Sequence, residues 1–288
     1  MKILLAGATG YLGSYIAKTL SKQQMDFTAI ARTPQTLLDM GIPHSRIVSA
    51  QLTQRENLKG VCEGYDAVIS TVGITRQKDG LTYMDVDYQA NKNLLDEAIR
   101  SGVKKFVYVS VLRGEALTHL QICAAKERFV EELKASGLEY SIIRPSGFFS
   151  DMTEFYHMAQ KGRVYLLGNG QIKVNPIHGA DLAQVCIRAV FEQQEEVEVG
   201  GPEVLTHRAI AETAFMSLGR KVKITYIPDW IRRALLRIAA LFLSKAQFGP
   251  VEFFLNVMTL DMTAPTYGKH TIKGFFNELR QSEEASHK

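Results

Sequence analysis

Three glycines near the start of the chain constrain its fold more than any other feature. Gly7, Gly10 and Gly13 stand three residues apart, after the apolar run Ile3–Ala6 and before a segment whose apolar residues have helical spacing. Glycines in such a turn let the chain reverse tightly, let a ligand approach the backbone, and let the helix pack closely on the strand. The free N–H groups and the positive dipole end of that helix suit a phosphate group.

Short apolar runs alternate with longer segments of helical period up to about Arg144. The predicted strands are Ile3–Ala6, Phe27–Ala31, Ile47–Ala50, Ala67–Thr71, Phe106–Ser110 and Tyr140–Ile143. The predicted helices are Tyr11–Lys22, Arg55–Val61, Val86–Ser101, Leu120–Ser136, Ala180–Phe191 and His207–Leu218. This alternation predicts a parallel sheet covered on both faces. The fold class is therefore α/β, a Rossmann doubly wound parallel sheet with a smaller C-terminal substrate lobe.

The regular alternation ends after Arg144-Pro145, and no linker rich in Pro, Gly or Ser follows it. We predict a dinucleotide-binding Rossmann domain over 1–150 and a substrate lobe with C-terminal helices over 151–280. The polar segment 281–288 is predicted to be a disordered tail.

Composition narrows the class of protein. Hydrophobic residues make up 46% of the 288 residues, which predicts a sizeable buried core. The net charge of +4 comes from interleaved acids and bases and gives no reason to expect nucleic acid as a partner. No stretch reaches the roughly 20 apolar residues of a spanning helix, and the N-terminal apolar run is too short for a signal peptide. We expect a cytoplasmic protein.

The polar and sulfur-containing side chains suggest neither a metal site nor a hydrolase triad. Cys62, Cys123 and Cys186 lie far apart, which suits a reducing compartment. No His, Cys or Asp cluster has metal-ligand spacing, so no metal is predicted. No Ser, His and Asp arrangement suggests nucleophilic hydrolysis.

The residue after the second predicted strand bears on the choice of cofactor. A carboxylate there would bind the adenosine ribose of NAD, but this chain has Arg32. A guanidinium donates two parallel hydrogen bonds to phosphate oxygens and so suits a 2′-phosphate. The alternative is a solvated loop charge without a ligand. Arg32 thus favours NADP(H) as the cofactor.

Several segments together resemble the short-chain dehydrogenase/reductase superfamily in its extended or atypical branch. Besides the glycine spacing, they are Ser70–Gly73, Val86–Tyr88, Asn93–Ala98, Phe106–Ser110, Ile143–Phe148, and Asn175–His178 with Asp181. The resemblance covers roughly the first 200 residues. It implies that NADP(H) is bound by Gly7, Thr9, Gly10, Tyr11, Leu12, Gly13, Arg32, Thr71, Val72, Gly73, Ser110, Lys126, Pro145 and Ser146.

One position departs from the pattern of most active members. They carry a tyrosine four residues before the lysine, whereas Ile122 stands four residues before Lys126 here. This chain is similar to the atypical members: nitrogen-metabolite-repressor-like proteins, isoflavone and phenylcoumaran reductases, chlorophyllide vinyl reductases, and an accessory subunit of respiratory complex I. That group contains both reductases and non-catalytic cofactor binders.

The missing tyrosine limits the chemistry. Hydride transfer to a carbonyl leaves an alkoxide that needs a proton, and Lys126 can supply it if burial lowers its pKa. A conjugated alkene relaxes that need, because lysine or water can protonate the enolate. We therefore predict an NADP(H)-dependent oxidoreductase that reduces a conjugated double bond or carbonyl of a small apolar substrate, with Lys126 as the catalytic residue. The alternative is a catalytically silent NADP(H)-binding redox sensor or assembly factor, in which Lys126 only binds ribose.

Other polar residues have plainer explanations beside a catalytic one. His119 can share the side of the helix that carries Lys126, or lie on the surface at the helix start. Cys123 fits a small core residue and Tyr83 a loop tyrosine. His178 and Asp181 fit a turn and a helix cap better than chemistry.

The segment from Trp230 to Leu243 predicts a helix with a broad apolar face and three arginines. Such a helix can lie on an acidic membrane surface or dock a protein partner. The alternative is a helix packed over the substrate lobe. No feature of the sequence indicates an oligomeric state.

Overall fold

The computed structural model describes residues 1–74 and 80–286 and has a seven-stranded sheet at its centre. The strands of the chain are β1 (Ile3–Ala6), β2 (Phe27–Ala31), β3 (Ile47–Ser49), β4 (Ala67–Ser70), β5 (Lys105–Val109), β6 (Glu139–Pro145), β7 (Val164–Leu167), β8 (Lys173–Val174), β9 (Glu196–Val199), β10 (Leu205–Thr206) and β11 (Ile224–Ile227). The central sheet has the order β3-β2-β1-β4-β5-β6-β9. This is the Rossmann order with one more strand beside β6, and the predicted α/β fold is confirmed.

The α-helices are α1 (Tyr11–Lys22), α2 (Gln35–Asp39), α3 (Asn91–Arg100), α4 (Gln121–Lys134), α5 (Phe149–Gln160), α6 (Gly179–Arg188), α7 (His207–Ser217), α8 (Asp229–Phe242), α9 (Lys245–Val257) and α10 (Ile272–Ser286). Short 3-10 helices occupy His44–Arg46, Arg55–Leu58 and Gly114–Leu117, and a π-helix occupies Met84–Ala90. Within the described residues, no helix is both long and apolar enough to cross a bilayer.

Two segments predicted as α-helices have a different helix type in the structure. The segment predicted as one helix over Val86–Ser101 is a π-helix followed by α3, because the side-chain amide of Asn91 donates to the carbonyls of Val86 and Asp87. A side chain inserted among the backbone carbonyls widens a helix at that point. The helix predicted over Arg55–Val61 is only a 3-10 turn, and the chain reaches a positive φ at Gly60.

The chain divides into two compact units, at a place that differs from the predicted boundary at 150. The first unit is Met1–Arg144 together with Leu182–Val197, and the second is Pro145–Asp181 together with Glu198–Lys288. The return of the chain to the first unit supplies backbone partners for β6. The N–H of Ile142, for example, donates to the carbonyl of Glu195 at 2.7 Å.

The core of the first unit is the sheet itself. β1, β2, β4 and β5 pair in parallel, and the side chains of β1 are completely buried. Strands buried on both faces read as continuous apolar runs, which is why β1 and β2 were predictable with their observed bounds. Parallel pairing brings the carboxyl ends of β1, β2, β4 and β5 to one edge, and the order reverses between β1 and β4.

The second unit is built around α5, α7 and α10, whose buried side chains include Phe155, Phe215 and Phe276. The prediction of a disordered tail is wrong for residues 281–286, because α10 continues to Ser286. Glu283 fixes this last part by accepting hydrogen bonds from Tyr156 at 3.1 Å and Gln160 at 2.6 Å. Residues 287 and 288 lie outside the described residues.

A buried histidine makes the second unit sensitive to acid. His207 is 1% exposed, and among the described residues its Nδ1 has no hydrogen-bond partner. Burial lowers its pKa from 6.5 to about 4, although Asp261 acts in the opposite direction. Because the unfolded chain takes up this proton first, stability falls as the pH drops from 6.5 to about 4.

We expect His207→Phe to flatten this acid limb, which spans at most about 3 kcal/mol. The measurement is the free energy of unfolding in urea across this pH range, compared with wild type. The exposed His44 provides the control, because His44→Phe should leave the slope unchanged. If the free energy of unfolding fell equally steeply with falling pH in wild type and His207→Phe, the acid sensitivity would not come from His207.

Candidate functional site: the carboxyl edge of the central sheet

The loop between β1 and α1 contains two glycines that the fold itself requires. Gly7 has a φ of +83°, and a Cβ there would lie 2.5 Å from the hydroxyl of Thr71. A Cβ on Gly13 would overlap the carbonyl oxygen of Gly7 and lie 2.8 Å from the Cα of Ala8. These glycines allow the turn and the close packing of α1 on the loop.

Gly10 has a different reason to lack a side chain. Its φ of −78° is available to any residue, and a Cβ would contact only the Gly7 carbonyl oxygen, at 3.3 Å. Gly10 and Thr9 are exposed at the open N-terminus of α1, whereas Leu12 is buried. The space in front of the first helical N–H groups therefore stays clear, which fits the close approach of a pyrophosphate to the backbone.

The residues after β4 are fixed against this loop. Thr71 lies with its hydroxyl 3.3 Å from the carbonyl oxygens of both Ala6 and Gly7, to which it donates. Asn91 accepts a hydrogen bond from Ser70 and donates to the carbonyl of Val72. Thr71 and Val72 are therefore held at the strand-order reversal, and their role as cofactor contacts stays a prediction.

Lys126 lies beside Gly73 and forms a buried ion pair with Asp87 of the π-helix. Its Nζ is 3.0 Å from Oδ1 of Asp87, and the two side chains are 13% and 0% exposed. The other oxygen, Oδ2, accepts the N–H of Ile74 at 3.2 Å. A Cβ on Gly73 would lie 2.9 Å from Nζ, so glycine at this position gives the ammonium group room.

The pKa of Lys126 moves opposite to the direction that proton donation would need. Burial alone lowers it, but Tyr108 and Asp87 outweigh burial and raise the pKa above its usual value. Lys126 therefore stays positively charged at neutral pH, and the condition for proton donation, a pKa lowered by burial, is not met.

A phenol does lie near Lys126, but it comes from β5. Nζ of Lys126 is 5.5 Å from the ring centroid of Tyr108, whose side chain is completely buried and packs on Phe129. Burial raises the pKa of Tyr108 to about 12, while Lys126 partly offsets this. The position one turn before Lys126 is filled by Ile122, which is 7% exposed.

Ser110 serves a buried ion pair on the same side of the sheet. Its hydroxyl donates to Oε1 of Glu127 at 2.8 Å. Glu127 in turn accepts two hydrogen bonds from the Arg144 guanidinium, at 2.7 and 2.9 Å, and Arg144 also binds Glu196 at 2.9 Å. Such a fully paired arrangement satisfies the buried charges.

Arg32 lines a cavity of about 390 Å³ at the carboxyl ends of β2 and β3. The other lining residues are Ser49, Ala50, Gln51 and Asn57. A guanidinium, a hydroxyl and two amides offer hydrogen-bond donors on one small surface. The cavity would suit the polar end of a nucleotide whose phosphate groups lie at the glycine loop.

Pro145 and Ser146, the last two predicted cofactor residues, belong to the second unit. Pro145 ends β6, and the buried Ser146 donates its hydroxyl to the carbonyl of Asn175 at 2.6 Å. Asp181 accepts the N–H groups of Lys269 and His270 at 3.0 Å, so it fixes that turn.

The remaining residues that the sequence offered as catalytic candidates occupy positions that the fold alone explains. His119 is exposed and precedes α4, whereas Cys123 is completely buried. Tyr83 is 2% exposed at the start of the π-helix. His178 stacks on His270 with 4.3 Å between ring centroids and accepts the N–H of Ala180.

Residues 7–193, well over half of the chain, match a family model described as NAD(P)H-binding. The chain belongs to this NAD(P)H-binding family. The matched range begins at Gly7 and includes the loop, the β4 end, Asp87 and Lys126. The family match supports a nicotinamide cofactor, and the clear space in front of Gly10 fits a pyrophosphate.

Curated relatives extend over almost the whole chain. Chloroplastic divinyl chlorophyllide a 8-vinyl-reductase of Arabidopsis thaliana is 27% identical over 97% of this chain and 76% of its own length. A photosystem II assembly factor of Synechocystis sp. is 24% identical over 93% of this chain and 84% of its own length.

A solved structure, NADPH-dependent quinone oxidoreductase from Escherichia coli complexed with NADPH, has a TM-score of 0.76 at 17% identity. It covers 96% of this chain and 99% of its own. At 17% identity this similarity is evidence for the fold alone.

The sequence prediction named Lys126 and missed the residues that set its state. Asp87 and Tyr108 were part of segments identified by resemblance, but neither was assigned a role. The sequence did contain one sign of the role of Asp87. It is a carboxylate within a segment predicted to be an amphipathic helix, and a carboxylate that is buried there needs a charged partner.

Proposed function

We propose that the protein is an NADPH-dependent reductase that acts on a conjugated double bond or a carbonyl of a small, largely apolar substrate. The observation that carries this proposal is the charged Lys126 beside Gly73, at the carboxyl edge that holds the glycine loop. The vinyl reductase and the NADPH-bound quinone oxidoreductase among the similar proteins support the same class of reaction.

The chain's own residues provide binding and charge. The N-terminus of α1, with Gly10 bare, would hold the pyrophosphate, and Thr71, Val72 and Gly73 would border the path toward Lys126. When bound, the reduced nicotinamide supplies a hydride. Lys126 would bind ribose hydroxyl groups and place a positive charge where the substrate oxygen becomes negative. The resulting enolate carbon would take its proton from water, and Lys126, whose pKa is raised, would remain charged.

Arg32 supports NADPH over NADH. We expect Arg32→Ala to reduce the preference for NADPH by about 1.5–3 kcal/mol, the range for hydrogen bonds to a charged group. The measurement is calorimetric titration of wild type and variant with both cofactors. Arg188→Ala removes an exposed arginine outside the cavity and should leave the preference unchanged. An Arg32→Ala protein that keeps the full preference would contradict this assignment.

The proposed activity is tested by NADPH oxidation over a panel of quinones, conjugated enones, vinyl-substituted tetrapyrroles and simple ketones. We expect turnover with members that form a stabilised enolate or hydroquinone, and little with simple ketones, because no exposed phenol stands at position 122 to protonate an alkoxide. A protein that binds NADPH tightly and oxidises it with no panel member would overturn the reductase.

A second candidate is an NAD(P)H-binding redox sensor or assembly factor without turnover. Two observations favour it: Asp87 already pairs with Lys126, and the nearby phenol of Tyr108 is completely buried. The assembly factor from Synechocystis sp. supports this alternative. The cytoplasmic location stays a prediction beside a relative named as chloroplastic.

A further inference from the structure

Helix α8 leaves large apolar side chains in solvent. Among its residues none is buried. The exposed fractions are 68% for Trp230, 49% for Leu235, 53% for Ile238, 80% for Leu241 and 81% for Phe242. We call these five residues the α8 face. Scattered exposed apolar residues are ordinary, but five on a single helix form a patch that needs a partner.

The α8 face lies within a single arc of the helix. With about 100° per residue, its five members span about 140° of the circumference. The opposite side packs on α9, where Arg232 donates to the side chain of Asn256 at 3.2 Å. The helix therefore turns its apolar side outward, the reverse of a helix that covers a core.

The charges beside this face are mostly positive. α8 contains Arg232, Arg233 and Arg237 and a single acid, Asp229. Asp229 pairs with Arg232 and Arg233, both at 2.6 Å. Arg233 and Arg237 fall next to Trp230 on the helical projection, so cationic groups border the apolar arc.

We propose that the α8 face docks on an anionic lipid bilayer, with α8 lying in the plane of the membrane surface. Apolar side chains enter the acyl boundary while bordering arginines meet lipid phosphates. α8 has 14 residues, a length of about 21 Å, which is too short to cross the roughly 30 Å hydrocarbon layer. Docking of the α8 face does not depend on the proposed reductase activity.

Charge favours lipid over a second copy of the chain. A two-fold symmetric pairing of α8 faces would bring the arginines of both copies to one interface. Like charges across an interface are unfavourable, whereas the negative surface potential of an anionic bilayer attracts them.

The single tryptophan of the chain makes the test direct. Because Trp230 lies on the α8 face and is the sole tryptophan, its fluorescence reports this face without background. We expect vesicles of phosphatidylglycerol and phosphatidylcholine in equal parts to shift its emission to shorter wavelength and to sediment the full-length protein. Phosphatidylcholine vesicles alone should do neither, and high salt should weaken the binding.

Variants separate the apolar and ionic contributions. Phe242→Glu should weaken vesicle binding about tenfold or more, because it places a carboxylate where an aromatic ring would enter the bilayer. Arg237→Gln should weaken it about fivefold. Phe191→Glu, at a 55% exposed aromatic outside α8, is the matched control and should bind as wild type does.

Three results would overturn the proposal. The first is no binding to anionic vesicles at low salt, and the second is equal binding to neutral and anionic vesicles. The third is a lipid-independent emission shift that follows protein concentration together with a doubled mass, since the face would then cover a second copy. Circular dichroism shows whether each variant is folded. A loss of vesicle binding in a folded variant can then be assigned to the α8 face.

Discussion

Replacing Gly10 with valine is expected to abolish NADPH binding while the chain still folds. The backbone at Gly10 has a φ that valine can adopt, and the protein offers one close contact, to the Gly7 carbonyl oxygen at 3.3 Å. The branched side chain would instead fill the space in front of α1 where the pyrophosphate meets the N–H groups. Calorimetric titration should detect no binding at concentrations that saturate wild type.

The matched control is Gly13→Val, in which the new side chain meets protein backbone. Its Cβ would overlap the carbonyl oxygen of Gly7, so this variant should lose thermal stability as well as binding. Gly10→Val should unfold within a few degrees of wild type and keep its circular dichroism spectrum. Normal NADPH affinity in a folded Gly10→Val protein would refute the phosphate-binding role of this loop.

The second large effect concerns turnover. We expect Lys126→Met to lower kcat by about 10²–10³, the range for loss of one preorganised group that stabilises developing negative charge. NADPH binding should weaken by about tenfold or less, because the variant loses only the ribose contacts. Since the pKa of Lys126 is raised, wild-type turnover should show no alkaline loss assignable to this group at neutral pH.

Two variants separate charge from structure at this position. Lys126→Arg keeps a positive charge and should recover part of kcat, whereas a proton-donating lysine could not be replaced by arginine. Lys126→Met leaves Asp87 buried without its partner, so Asp87→Asn in the same chain should restore stability but not turnover. Weaker NADPH binding by Lys126→Met, with no turnover in either the variant or the wild type, would favour the silent binder.

The fold is predictable from the sequence where residues close together in the chain determine an element. β1, α1 and β2 have their predicted bounds because a run buried on both faces and an amphipathic helix leave clear patterns. The glycine loop was predictable for the same reason, since each requirement lies within a few residues. At Val86–Ser101 the amphipathic pattern was present, but the side chain of Asn91 changed the helix type without changing the pattern.

The candidate site was less predictable because its partners are far apart in the chain. Lys126 could be identified from its helix, but its pairing with Asp87 and the nearness of Tyr108 depend on how α4, the π-helix and β5 meet. The sign of the pKa shift follows from those partners. Ser110 likewise was predicted as a cofactor contact, and only the folded chain brings it to Glu127.

Because Leu182–Val197 returns to the first unit, that unit contains segments that are synthesised at different times, and this affects when it can fold. The ribosome releases the N-terminal end first, yet Arg144 needs Glu196, and the buried ammonium of Lys105 donates to the carbonyl of Glu192 at 2.9 Å. Both partners emerge only after Pro145–Asp181 has been synthesised. The cofactor-binding half therefore finishes folding late, and a nascent chain that stops before Val197 exposes the edge of β6 to pairing with other chains.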